Sequence, residues 1–142
     1  MTDRSDPKAV ITEYYDRVWH RNDTDAVFEL FADGYVNHAG ARGTLKGPEG
    51  ILANYRNTKA AFEDGTFVVD MLLAEGDRVT AYYTMTGTHT GPFMGIPATG
   101  TAIKVPGIGI YEVRDGKIQE SWVVRDTYVL LKQLGAEMVA AK

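Results

Sequence analysis

Asp126 stands four residues after Trp122, at the end of an apolar stretch that begins at Ile118. If residues 118 to 126 form a strand, side chains alternate between its faces. Ile118, Glu120, Trp122, Val124 and Asp126 then share one face. Three of the five are apolar, so this face is expected to look into the protein. At the end of a hydrophobic wall, desolvation raises the pKa of a carboxylic acid, and a raised pKa makes a better general base near neutrality. The other role open to Asp126 is a helix cap, with its carboxylate bonding to amides near Tyr128 or Val129. Glu120, on the same face, is costly to bury alone. It therefore pairs with a cation or sits where water reaches. Arg125 alternates to the opposite face.

Two histidines add to this set. His38, in Tyr35-Val36-Asn37-His38, can hydrogen-bond a carbonyl or shuttle a proton near pH 7, or it can be a satisfied structural side chain. His89 lies in Gly87-Thr88-His89-Thr90-Gly91. Its threonine and glycine neighbours suggest that it anchors the loop that follows. His38, His89 and Asp126 lack the spacing of a local metal motif, and the chain has no cysteine. Tyr14, Tyr15 and Trp19 fall on or near the apolar stripe of a first helix. Their rings carry polar handles and suit either a flat organic ligand or plain core packing. Tyr55, Phe62, Phe93 and Trp122 are expected to complete a substrate-contacting wall.

These residues must be positioned by ordinary elements. Ser5 or Asp6 caps a first helix with Pro7 in its first turn, and Val10, Ile11, Tyr14, Val18 and Trp19 recur at helical spacing. A short second helix is predicted to bury Val27, Phe28, Leu30 and Phe31 and to end at Gly34. Residues 35 to 39 read as a short strand and 40 to 47 as a turn-rich connection. Pro48 opens a third helix carrying Ile51, Leu52, Tyr55 and Phe62. After Gly65 the period changes to two. Strands are predicted over 66–74, 78–89, 102–113 and 118–126. Glu75-Gly76-Asp77 and Asp115-Gly116 make tight turns, 91–100 is a loop, and Pro106-Gly107 marks a bulge or bend. Residues 129–134 form a short terminal helix. Helices first and an antiparallel meander after them predict an α+β fold.

The chain has 142 residues, a size expected for one domain with a real core; residues 1–5 and 136–142 are expected to be flexible. Its net charge of −4, without a basic stripe, argues against nucleic acid. No stretch reaches the length of a membrane helix, and the polar N-terminus and lack of cysteine suit a cytoplasmic protein. Gly107-Ile108-Gly109 lacks the third glycine of a phosphate loop, so no cofactor is expected. Outward residues such as Tyr82 and Ile108 predict a sheet face that pairs in a homodimer.

The order Gly87-Thr88-His89-Thr90-Gly91-Pro92-Phe93-Met94-Gly95-Ile96-Pro97-Ala98-Thr99-Gly100, then Asp115-Gly116-Lys117-Ile118-Gln119-Glu120-Ser121-Trp122, then Asp126 and Gln133-Leu134-Gly135, resembles the SnoaL-like polyketide cyclases. These belong to the nuclear transport factor 2-like, ketosteroid isomerase-like superfamily. The resemblance covers nearly the whole chain. It implies a cone-shaped α+β barrel: three N-terminal helices packed on a strongly bent antiparallel sheet around a central cavity. It further implies that Asp126 is an acid/base group, that the position of His38 reaches the cavity, and that a first-helix tyrosine donates to an oxyanion. The implied activity is a cofactor-independent ring closure or isomerisation of a small hydrophobic carbonyl compound. Alternatives on the same fold are an epoxide or lactone hydrolase and a non-catalytic binder. Epoxide hydrolases of the limonene type use an Asp-Arg-Asp set, and no arginine is expected beside Asp126 on its face. Some cyclases carry a histidine in the strand equivalent to 102–112, where this chain has none.

Overall fold

A computed structural model describes residues 4–38, 45–137 and 139–140. The chain opens with helix α1 (Pro7–Tyr14), which runs on into a wider π-helical turn over Tyr15–His20. Asp6 caps α1 by accepting from the Lys8 amide, and Pro7 takes the first position, where a missing N–H is harmless. Residues 10/11, 14/15 and 18/19 are buried in pairs four apart. A repeat of four overshoots the α-helical turn of about 3.6 residues, so such pairs would drift around a regular helix. Widening the turn after Tyr14 reverses the drift. This keeps both Tyr14 and Tyr15, and both Val18 and Trp19, on the core side.

Helix α2 (Ala26–Leu30) leads directly into strand β1 (Phe31–Asn37). Two expectations fail here. Phe28 is exposed, and Gly34 lies inside β1 and ends no helix. A five-residue helix has only a narrow buried stripe, filled by Ala26, Val27 and Leu30. The connection expected at 40–47 falls largely outside the described residues, as do parts of both termini. Beyond it come β2 (Leu45–Lys46), α3 (Gly47–Ala61), β3 (Thr66–Glu75), β4 (Arg78–Thr88), β5 (Ala102–Arg114), β6 (Lys117–Arg125) and α4 (Thr127–Gln133).

Among the described residues the strands form one sheet in the order β2-β1-β6-β5-β4-β3. β3 to β6 are an antiparallel meander, and β1 joins β6 in parallel. The β5–β6 turn uses positive φ at both Asp115 and Gly116, the geometry that follows strand twist and that Asp-Gly supplies. No bulge occurs at Pro106. β5 pairs with β4 in unbroken register from Ala102 to Glu112. Gly107 and Gly109 serve a different purpose: a Cβ on them would lie 2.4 Å from the Tyr83 ring and 2.8 Å from the Tyr111 ring. The glycines leave room for tyrosines to lie across the inner face. The register shifts fall in β3, between Val69 and Met71, at the β5–β6 pairing, between Glu112 and Val113, and in β1 against β6, between Phe31 and Val36.

The core lies between the helices and one face of this sheet. It includes Val10, Ile11, Val18, Leu30, Phe31, Met85, Val105, Ile118 and Leu130, all fully shielded from solvent. On β4 the inner set is Val79, Ala81, Tyr83 and Met85, each two residues from the last.

Candidate functional site

The β6 bulge decides which side chains face the interior. Val113 pairs with Ile118, but Glu112 pairs with Glu120, so Gln119 is the extra residue. Ile118 is buried, and after the bulge the inner face passes to Ser121, Val123 and Arg125. Simple alternation from Ile118 is therefore wrong for the rest of the strand. Glu120, Trp122 and Val124 stand on the outer face, and they do not line a common interior wall with Asp126.

Inside, the side chains are mostly aromatic with hydroxyl groups. Tyr35 Oη and Ser121 Oγ lie 2.5 Å apart. Tyr15 Oη and Tyr111 Oη lie 2.6 Å apart, and Trp19 Nε1 donates to Tyr14 Oη at 3.0 Å. Burial pushes the Tyr14 hydroxyl up to about 12, against the opposing hydrogen bond from Trp19. Burial also raises Tyr15 and Tyr111 well above the ordinary value and raises Tyr35 and Tyr83. All therefore stay protonated at neutral pH, as donors. Arg125 extends inward. Its Nη1 lies 3.4 Å from the sulfur of fully buried Met85, and its Nε is shielded from solvent. Its charge also acts on Tyr83, which lies across Gly107, the cross-strand partner of Arg125. Asn37, 7% exposed, completes this set from β1.

Asp126 follows at the end of β6, where strand gives way to α4. Its amide donates to the Pro106 carbonyl at 3.0 Å, and its Oδ1 accepts from the Val129 amide, also at 3.0 Å. It caps α4 from an exposed position, not from the hydrophobic wall expected. α4 is fixed in turn by Leu130 and Leu134 in the core and by Gln133, whose side chain bonds both backbone groups of Lys104. Asp126 thus lies where β6 ends, beside Pro106 of β5.

His38 joins Glu120 and Trp122, but outside. Its Nε2 is 3.1 Å from Glu120 Oε1, and its ring stacks on Trp122 at 5.1 Å and 16°. Arg78 approaches the Trp122 ring at 5.7 Å. The hydrogen bond from His38, then one from Glu112, hold the Glu120 carboxyl below the usual carboxylate range. The partner sought for Glu120 is therefore His38. His89 is fully buried. Its Nδ1 accepts from the Thr99 amide and lies 2.9 Å from Thr99 Oγ1, while its backbone pairs with Thr101 and Gly100. Its ring packs on Phe62, which also meets Phe93, so these three clamp the 91–100 loop to the end of α3. Tyr55 packs at a tilt on Trp19 and donates to Asn22 Oδ1 at 2.8 Å. Among the described residues no three His, Asp or Glu side chains gather as metal ligands would, and no helix is long and apolar enough to cross a membrane.

Sequence reasoning missed Tyr35, Asn37, Tyr83, Tyr111, Ser121 and the inward turn of Arg125. The available signals were the alternation of β4, the paired glycines of β5 that call for large neighbours, and the polar doublet Gln119-Glu120 interrupting an apolar run.

Known proteins agree with this architecture. The chain is 30% identical over 115 residues to the aklanonic acid methyl ester cyclase DauD of Streptomyces sp. (strain C5), covering 79% of this chain and 71% of that protein. The crystal structure of wild-type IdmH of Streptomyces antibioticus superposes with a TM-score of 0.82 at 32% identity, over 92% of this chain and 99% of that one. A Catenulispora acidiphila protein described as having a ketosteroid isomerase-like fold superposes with a TM-score of 0.74 at 23% identity, over 90% and 93% of the two chains. The family model for the SnoaL-like polyketide cyclases matches residues 9–134, and the chain belongs to that family.

Proposed function

We propose that this protein closes a ring in a small polyketide-like carbonyl compound by acid–base chemistry, without a cofactor. The observation that carries the reading is an interior of protonated tyrosines and an arginine, with a carboxylate, Asp126, exposed where β6 ends. Asp126 removes a proton from a carbon flanked by carbonyls. A carboxylate is a weak base, so the substrate position must be acidic. The enolate oxygen accepts hydrogen bonds from inner-face donors, which act strongly where water is excluded. The enolate carbon then attacks a second carbonyl carbon, and the new alkoxide takes the proton back from Asp126. Prefolding of the substrate against the aromatic wall supplies orientation. The cap uses Oδ1 alone, and a carboxylate has two oxygens, so capping and proton transfer are compatible.

The hydrolase alternative gains an inward arginine, Arg125, but the buried polar side chains of the described residues, Asn37, His89 and Ser121, include no second acid. Cyclisation is the better fit. We also read the protein as a homodimer. Two apolar rungs cross the outer face, Met71–Tyr82–Ile108–Val124 and Leu73–Thr80–Ile110–Trp122, each built from directly paired residues. A patch of this kind suits a second copy related by a two-fold axis.

Asp126→Asn tests the chemistry. Asn retains the cap but cannot take a proton. Turnover of a polyketide-like diketone should fall about 100- to 10,000-fold, with the melting temperature nearly unchanged. Unaltered turnover would leave Asp126 as a cap only.

A further inference from the structure

We propose that His89 binds the ligand directly: its Nε2–H donates a hydrogen bond to a carbonyl oxygen of the compound held in the interior. The proposal rests on the reading that the interior binds the substrate. It gives His89 a role beyond anchoring the 91–100 loop.

Three observations lead to it. The first fixes the proton. His89 Nδ1 accepts from the Thr99 amide at 3.2 Å, and Thr99 Oγ1 lies 2.9 Å from the same nitrogen. Thr99 Oγ1 itself accepts from the Thr101 amide at 3.3 Å, so its own proton is free to point at Nδ1. A ring nitrogen that accepts carries no proton, and the neutral imidazole therefore holds its proton on Nε2. The second observation is that this proton has no acceptor. His89 is fully buried, and its Nε2 has no hydrogen-bond partner among the described residues. A buried donor left unmatched costs stability, and it calls for an acceptor that the fold itself does not supply. The third is placement. The inner set of β4, Val79, Ala81, Tyr83 and Met85, runs in steps of two that continue through Gly87 to His89. Pairing with β5 keeps register as far as Thr88, and the His89 amide still donates to the Thr101 carbonyl. The imidazole therefore stands on the tyrosine side of the sheet, against Phe62. An uncharged donor held in place from its other nitrogen suits an uncharged acceptor, the oxygen of a ketone or an ester.

Proton–nitrogen correlation spectra of protein carrying isotope-labelled histidine test this without turnover. The chain has three histidines, and His20→Gln and His38→Ala identify the other two rings. In the free protein His89 should show its proton on Nε2. Saturation with benzoylacetone, a flat aromatic diketone, should move the Nε2–H signal to lower field and leave Nδ1 nearly in place. In calorimetric titrations His89→Asn should bind the diketone about three- to tenfold more weakly, the scale of one neutral hydrogen bond. Asparagine Oδ1 can still accept from the Thr99 amide, so this variant keeps the loop anchor and loses the donor. His89→Gln carries an amide N–H close to the lost Nε2 position and should recover part of the affinity. A proton on Nδ1 in the free protein would overturn the proposal. So would undiminished binding by His89→Asn, or an Nε2–H signal that bound diketone leaves unmoved, as when a water holds that proton throughout. If His89→Asn does not fold, the spectra of the unaltered protein decide alone. A protein that binds no diketone defeats the interior-binding reading and this proposal together. Bound diketone with an unmoved signal defeats the proposal alone.

Discussion

The two faces of β6 are built from alternate residues of one short strand and have opposite chemistry. The inner face presents Ser121, Val123 and Arg125 to a wall of tyrosines. The outer face presents Glu120, Trp122 and Val124 to His38, Arg78 and solvent. A single extra residue, Gln119, decides which set goes where. A polar pair can assemble in good geometry, as His38 and Glu120 do, and still lie outside the place where substrate binding is expected. Burial separates the two faces.

The largest effect should come from alkali. Tyrosines buried on the inner face have folded pKa values above the unfolded 10.0, with Tyr14 pushed up to about 12. A raised folded value means that the contribution is whole below the unfolded pKa and is lost as pH rises toward the folded one. Stability should therefore hold to about pH 10 and then fall by about 1.4 kcal/mol per pH unit for each tyrosine kept protonated. Denaturant midpoints measured from pH 8 to 12 check this. Tyr14→Phe should make the fall shallower by one tyrosine's share. A profile flat to pH 12 would mean that the inner hydroxyls are not desolvated.

Next in size is the crossing of rings over glycine. In Gly107→Ala the new methyl would lie 2.4 Å from the Tyr83 ring. Overpacking of this kind should cost about 1–3 kcal/mol. Tyr83→Leu in the same chain should recover part of that loss. On the outer face Val124, 73% exposed, should tolerate Val124→Ala within about 0.5 kcal/mol. Similar losses at both positions would erase the distinction between the faces.

The outer apolar rungs come third. If a second copy covers them, Ile108→Glu should halve the mass seen by light scattering while leaving the unfolding midpoint of the isolated chain close to unchanged. A monomer mass for the unaltered protein at high concentration would remove the partner instead.

The architecture was legible in the sequence because it depends on strong local signals. Asp6-Pro7 opens the first helix, Asp115-Gly116 turns the hairpin, and the period changes at Gly65. The facing of the site was not legible, because it depends on register. A bulge of one residue inverts every side chain beyond it, and nothing in Ile118-Gln119-Glu120 says which residue will be extra. The π-helical turn had the same effect in the helix: Tyr14 and Tyr15 looked like alternatives and are both interior. Pro106 gave the opposite error, a visible breaker that left the strand unbroken. Its carbonyl accepts from the Asp126 amide, so its role depends on a partner twenty residues away in sequence.

The smallest expected effect concerns His38. Its bond to Glu120 is on the surface, with both side chains 39% exposed, and exposed pairs contribute little. His38→Ala should leave the melting temperature at neutral pH close to that of the parent. The trace it leaves should be in acid. The hydrogen bond from His38 is the first cause that lowers the Glu120 carboxyl, and a lowered carboxylate contributes stability above its unfolded pKa that is lost as pH falls through the folded one. The small difference between parent and variant should therefore persist down to about pH 4.5 and disappear below it, as seen in melts run from pH 7 to 3. Turnover should be unaffected, because the imidazole stacks on Trp122 on the side of the sheet away from the tyrosines and Arg125. A tenfold or larger loss of turnover in His38→Ala would bring the outer cluster into the chemistry and end the division of labour between the two faces.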